Sequence, residues 1–251
     1  MLNMFRQRKE PQVASLPHVT RRTYAVGDIH GRFDLLGEIV DRILQDQSEE
    51  DGVPEIIFLG DYLDRGERSS EVIEFLIAMQ DWPEVKVRFL RGNHEEMMLD
   101  FLVSPDAGDR WLRYGGLQTL MSYGVSAPGP VHQPGTLAVI RDDLEVALGA
   151  HRAFIEAMGL WHMSGNVLFV HAAADPMQAA TQQDPRTLLW GHPRFAERMR
   201  DDGVWVVHGH TVVEEPIVEK GRISVDTGAY FSNRLTAVRL EAGTVRFLTA
   251  A

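Results

Sequence analysis

No cysteine occurs anywhere in the 251 residues. That absence removes disulfides, thiolate metal sites and every cysteine-nucleophile mechanism at once. Cations are in deficit as well, with 25 Lys and Arg against 36 Asp and Glu, a formal charge of −11. Sequence-independent binding to nucleic acid needs a basic face, so this balance argues against it, and an anionic substrate must be drawn in by locally placed cations. Long apolar runs are missing too. No segment approaches the ~20 apolar residues of a membrane span, and the basic start "MLNMFRQRKEPQVASLPHVTRR" lacks the apolar stretch of a signal peptide. Residues 1–22 therefore read as a flexible basic tail, the compartment as cytoplasmic, and a membrane partner is not expected. What is present is an ordinary soluble composition, 44% hydrophobic and 24% charged. It suffices to bury the core of a single domain over 23–251.

From Thr23 the chain repeats strand, turn, helix. "TYAV" leads into "GDIHGR" and then apolar residues at helical spacing from Phe33 to Leu44. "EIIFL" leads into "GDYLDRG" and a second helix marked by Val72, Ile73, Phe75, Leu76 and Met79, with Ser70 as its N-cap. "VKVRFL" runs into "RGNHE", and "EMMLDFL" continues as helix. Polar motifs thus sit at the carboxyl ends of three successive strands, the edge where open α/β sheets bind ligands. From about 104 to 165 the pattern changes to a mainly helical insertion, read as a cap, in which "DDLEVALGAHRAFIEAMGL" forms one helical stretch. Strands resume with "LWHM", "VLFVH" and "VWVVHGHT", and the end, "RISVDTGAY" and "LTAVRLEAGTVRFL", alternates like hairpins that close a second sheet.

Six N/O donors stand beside glycine or at strand ends: Asp28 and His30, Asp61, Asn93, His171 and His210. That is too many for one tetrahedral site. Three carboxylate or amide groups with three imidazoles and no sulfur suit two hard or borderline divalent ions, Mn²⁺ first, with Fe or Zn²⁺ as alternatives. A bridging carboxylate would hold them about 3.5–4 Å apart, as in two-metal phosphoester sites.

The ordered series "GDIHG", "GDYLDRG", "RGNHE", "VHAA", "GHT" resembles the calcineurin-like metallophosphoesterases of the phosphoprotein phosphatase (serine/threonine phosphatase) type, over roughly residues 24–231. "RYGGLQTLMSYG", "LLWGHPRF" and "VDTGAYFSNRLTAV" draw the likeness toward small bacterial members. The resemblance implies a four-layer α/β/β/α sandwich with the mainly helical cap inserted. It implies that Asp28 and His30 bind the first metal, that Asp61 bridges, and that Asn93, His171 and His210 bind the second, with a metal-bridging hydroxide attacking phosphorus in line. His94 matches the proton donor to the leaving alkoxide and Asp64 the carboxylate that orients it. Arg65, with Asn93, would hold the substrate phosphate, and Arg194 is expected as a second clamp.

The chain also departs from the family pattern. His192 stands where many bacterial relatives carry an arginine, and "HAA" replaces "HGG" or "HAG" beside His171. His208 is expected to pack behind the site, and His18, His132, His151 and His162 are read as surface or core residues. Trp111, Arg113 and Tyr114 either line the substrate cleft or divide between core, for Trp111, and solvent, for Arg113.

The leading expectation is a phosphoserine/phosphothreonine protein phosphatase; the alternative is a hydrolase of dinucleoside polyphosphates or another nucleotide anhydride. The leaving group separates them, since a phosphate needs little protonation and an alkoxide needs much. Symmetrical dinucleoside tetraphosphate hydrolases of this family typically have alanine where Asp64 stands, so the Asp64–His94 pair favours the ester. A non-catalytic relative would lose ligands, and none of the six is missing.

Overall fold

Two five-stranded sheets face each other in the computed structural model, which describes residues 16–46, 52–126 and 135–251. The first sheet contains β1 (Thr23–Val26), β2 (Glu55–Phe58) and β3 (Lys86–Phe89), all parallel, extended by β9 (Leu235–Glu241) and β10 (Thr244–Ala250) in the order β10-β9-β1-β2-β3. The second is built from β4 (Trp161–Ser164), β5 (Val167–Val170), β6 (Trp205–His208), β7 (Ile217–Glu219) and β8 (Arg222–Ser224), ordered β4-β5-β6-β8-β7.

Alternation along the strands decides the layers. Tyr24, Val26, Ile56 and Phe58 face a helix-covered core with Leu36, Ile39 and Ile43, whereas Ala25 and Ile57 face inward onto Val167, Phe169 and Val207 of the second sheet. Leu168, Val170 and Val206 point the other way, into a third cluster with Leu188. Helices α1 (Phe33–Gln45), α2 (Ser69–Ala78) and α3 (Asn93–Val103) contribute to the first outer layer and α8 (Pro185–Trp190) to the other, giving the α/β/β/α sandwich. Sheets covered on both faces explain why β1, β2, β5 and β6 are buried at every residue.

The insertion is helical as expected: α4 (Gly108–Trp111), a wide turn over Leu112–Gly116, α5 (Leu117–Ser122), α6 (Thr136–Leu148) and α7 (Ala150–Glu156). Four local expectations are corrected. The long stretch before β4 is two helices, because Gly149 (φ 50°, ψ −123°) leaves helical geometry between α6 and α7. Ser70 lies inside α2 and caps nothing; its hydroxyl donates to the Ser122 carbonyl (2.8 Å), tying α2 to the insertion. The β9–β10 hairpin joins the first sheet through β1, and the hairpin closing the second sheet is β7–β8. Of the tail, residues 1–15 lie outside the described residues, as does His132. Residues 16–22 are docked: the His18 amide donates to Asn166 Oδ1 (2.6 Å), the Thr20 amide to Ser164 Oγ (3.1 Å), and Val19 is buried between the sheets. Among the described residues no helix is long and apolar enough to cross a membrane.

Candidate metal centre

The loops that leave β1, β2, β3, β5 and β6 meet at one end of the sandwich. Their backbones are forced to turn sharply, and His30, Asp61, Asp64, Arg65 and His210 all adopt positive φ, between 48° and 69°. Non-glycine residues rarely enter that region unless surrounding structure holds them there, and such residues gather at functional sites. Gly92 shows how tightly the loops interlock: a Cβ there would lie 2.2 Å from Asp61 Oδ1, so only glycine lets the strand β3 loop pass the carboxylate.

Ligand-capable atoms of His30, Asp61 and His94 lie within 4.8 Å of one another, as do those of Asp61, His171 and His210. Asp61 belongs to both groups, its carboxylate 3.6 Å from His30 Nε2 and 3.4 Å from His171 Nε2. Asn93 joins the second group, with Oδ1 2.9 Å from His171 Nε2. Asp28 reaches the centre through His210, whose amide donates to both carboxylate oxygens (3.1 Å each).

The donor set suits cations. His30 Nδ1 and His171 Nδ1 face the carbonyls of Leu63 (2.8 Å) and Leu59 (3.1 Å). A carbonyl only accepts, so each Nδ1 carries the proton and each Nε2 turns a lone pair inward, the tautomer a metal requires. Burial holds His30 down at about 3 and His171 at about 4, keeping both imidazoles neutral. Burial and the neighbouring carboxylates of Asp226 and Asp61 push Asp28 well above the usual carboxylate range. Burial likewise raises Asp226 to about 6. Excess buried negative charge with inward lone pairs is what a dinuclear divalent site presents before its ions bind.

Beside the cluster, Asp64 is fully buried and its carboxylate is saturated. It accepts from His94 Nδ1 (2.7 Å), Thr119 Oγ1 (2.6 Å) and Trp111 Nε1 (3.0 and 3.1 Å). For His94, burial acts downward but the Asp61 and Asp64 carboxylates outweigh it and raise its pKa. Burial raises that of Asp64, against the hydrogen bonds it accepts. Arg65 Nη2 lies 3.3 Å from His94 Nε2, on the open side of that ring, and its guanidinium sits 4.6 Å from the Tyr230 ring centroid.

Arg194 is not brought to this cluster. It is exposed in the loop after α8, where its amide donates to His192 Nδ1 (3.3 Å), and His192 Nε2 lies 3.7 Å from Asp175. His208 packs behind the centre as expected, against Phe195 and within 2.9 Å of Ser224 Oγ. Trp111 is core, fully buried with its indole N–H donating to Asp64, and it does not line either cavity formed by Arg113 and Tyr114.

Three residues escaped the sequence reading. Asp226 adds a carboxylate next to Asp28, and Thr119 holds Asp64. Glu95, buried on α3, accepts from the amides of Asp61 (2.9 Å), Tyr62 (2.8 Å), Leu63 (3.1 Å) and Gly92 (2.9 Å), bracing the whole "GDYLDRG" turn. Its place three residues past Gly92 at a helix start is the capping-box spacing, a signal that was available. Glu95→Gln turns N–H groups toward donors that had an acceptor; at about 1.5–3 kcal/mol per hydrogen bond to a charged group, the loss should be about 3 kcal/mol or more. Denaturant titration would measure it, and metal affinity should fall by about 10–100-fold because Asp61, common to both donor groups, loses its support.

A model of the calcineurin-like phosphoesterase family matches residues 21–214. PrpE of Bacillus subtilis (strain 168), a bis(5'-nucleosyl)-tetraphosphatase of the asymmetrical kind, is 26% identical over 236 residues, covering 85% of this chain and 88% of its own. A solved structure of a candidate diadenosine tetraphosphatase superposes with a TM-score of 0.63 at 16% identity, covering 94% of this chain and 96% of that one. The cold-active protein-tyrosine phosphatase of a Shewanella species shares the fold with a TM-score of 0.58 at 18% identity, over 91% and 80% of the two chains.

Proposed function

Because the chain belongs to the calcineurin-like phosphoesterases, we propose that it is a dinuclear-metal hydrolase of dinucleoside polyphosphates, cleaving a phosphoanhydride of a bis(5'-nucleosyl) tetraphosphate. The reaction class is carried by one observation: two groups of ligand-capable atoms, of His30, Asp61 and His94 and of Asp61, His171 and His210, share Asp61, the atoms of each group lying within 4.8 Å of one another. The substrate class is supported by relatives whose assigned activity is that of a bis(5'-nucleosyl)-tetraphosphatase, matching along 85% of the chain. This reverses the order expected from the motifs, where the phosphoprotein came first.

In this reading Asp28 and His30 hold one ion, Asp61 bridges, and Asn93, His171 and His210 hold the other, with Mn²⁺ the leading candidate. Two divalent ions in that position would supply an acidified water and neutralise charge on the phosphoryl oxygens. The chain's own contribution is positional. Arg65 and Asn93 orient the phosphate, the guanidinium fork of Arg65 offering paired donors to its oxygens. His94, turned by Asp64, offers a proton from Nε2 to the departing oxygen. Exposed Arg194 rests on sequence position alone.

Hydrolysis of phosphomonoesters is a second reading, and the intact Asp64–His94 pair at 2.7 Å favours it. A polyphosphate leaving group needs little protonation, whereas an alkoxide depends on such an acid. Competition of phosphopeptides, mononucleotides and diadenosine tetraphosphate on the Mn²⁺-loaded enzyme separates the two. The dinucleotide should win by kcat/KM, and asymmetrical cleavage should yield one nucleoside monophosphate and one triphosphate. A higher kcat/KM for phosphoserine peptides would return the function to the ester.

A further inference from the structure

Two cavities adjoin at the mouth of the centre and share Arg113 and Tyr114. The first, about 400 Å³, is lined by Arg65, Arg113, Tyr114, Gly115, Gln118 and Tyr230. The second, about 520 Å³, is lined by Asp106, Asp109, Arg110, Arg113 and Tyr114. Each is of the size that takes a small ligand. They differ in chemistry. The first holds two guanidiniums, and that of Arg113 makes no hydrogen bond or ion pair among the described residues. The second adds the side chains of Asp106, Asp109 and Arg110 beside Tyr114, a residue that is 52% exposed.

The local backbone is built for this placement. Between α4 and α5 the helix widens over Leu112–Gly116, and Gly115 swings to φ 114°. Its carbonyl accepts from the Arg65 amide (3.3 Å), and a Cβ on Gly115 would lie 2.6 Å from that nitrogen. Any side chain there would push the insertion off the phosphate-facing arginine. The distortion costs regular helical bonding, and such widened turns recur at functional sites. Its result is that Arg113 and Tyr114 are carried to the rim beside Arg65.

We propose that the two cavities form a nucleotide subsite, with the polyphosphate chain running from the metal centre across Arg65 and Arg113 and the nucleoside stacked on Tyr114. The carboxylate of Asp106 accepts from a donor that a nucleoside has and a bare polyphosphate lacks, a ribose hydroxyl or an exocyclic amine. Chain charge makes the cations selective: with −11 overall, two guanidiniums on one cavity are a local exception. This subsite names the recognition element of the dinucleotide reading above, and rests on that reading for the direction in which the chain runs.

Its test uses inhibition in place of dinucleotide turnover. ATP and inorganic tripolyphosphate, each with Mn²⁺ in excess, compete against p-nitrophenyl phosphate hydrolysis. Stacking on an aromatic ring should give ATP an inhibition constant about tenfold lower than that of tripolyphosphate. Tyr114→Ala should erase that ratio, and Tyr114→Phe should keep it. Arg113→Gln should weaken both inhibitors by a similar factor, since both carry the phosphate chain. Equal inhibition by the two in the unaltered protein, or a preference for ATP that survives Tyr114→Ala, would overturn the subsite. A preference lost in Tyr114→Ala, found together with poor hydrolysis of diadenosine tetraphosphate, would uphold the subsite and remove only the proposed reaction.

Discussion

Asp28→Asn should lower bound metal and kcat/KM together, the latter by about 10³-fold or more, since the ions are asked for several kcal/mol of transition-state stabilisation. Metal analysis of the purified variant and turnover of p-nitrophenyl phosphate measure the two. The same variant should behave oppositely without metal. Asp28 is pushed above the usual carboxylate range by burial and by the charges of Asp226 and Asp61. A carboxyl whose folded pKa is raised destabilises the fold progressively as pH rises above its unfolded value near 4. Asparagine keeps an oxygen for the His210 amide and carries no charge. Metal-free Asp28→Asn should therefore match metal-free wild type at pH below the carboxylate range and exceed its stability at pH 8. With Mn²⁺ present the order should invert, because only the wild type gains the full binding free energy. Full metal content at normal activity would remove Asp28 from the site.

What the sequence revealed and concealed follows from distance along the chain. The donors at strand ends were legible because strand, glycine and ligand lie within a few residues of each other, so pattern alone places Asp28, His30, Asp61 and Asn93 at one sheet edge. The sandwich layers came from the family resemblance and not from the strands themselves, since Tyr24, Ala25 and Val26 are apolar on both faces. Concealed were contacts made to backbone or across the insertion. Glu95 serves amides some thirty residues away, and an amide has no sequence identity to read. Thr119 and Trp111 reach Asp64 across 55 and 47 positions, from an insertion whose spacing fixed only that it was helical. The β9–β10 hairpin alternates equally well in either sheet. Its choice of β1 as neighbour was therefore hidden.

Asp64→Asn should split substrates by their leaving groups. The side chain sits at 0% exposure with its oxygens engaged by His94, Thr119 and Trp111. Asparagine fits the same space and can still accept from Thr119 and Trp111, so the turn should persist. What changes is the His94 ring. A carboxylate that accepted from Nδ1 is replaced by a neutral amide, which lowers the pKa of the imidazole and removes the preference for the orientation that aims Nε2 at the leaving oxygen. Phosphoserine peptides, with a basic alkoxide to expel, should lose about 10²–10⁴-fold in kcat. p-Nitrophenyl phosphate and diadenosine tetraphosphate expel weakly basic oxygens and should lose only a few-fold. Equal losses on all three would show that Asp64 supports the fold and not the acid. The pattern also bears on physiological chemistry: an enzyme whose dinucleotide turnover is nearly indifferent to this change, yet retains a saturated Asp64, keeps an acid that its anhydride substrate does not require. Retention would then be explained by the load that Asp64 carries in joining Trp111 and Thr119 of the insertion to the loop that holds Arg65. A double variant, Asp64→Asn with Thr119→Ala, should lose less stability than the sum of the single changes if that joint, and not proton transfer, is what holds the residue in place, because the contact the two share is lost only once.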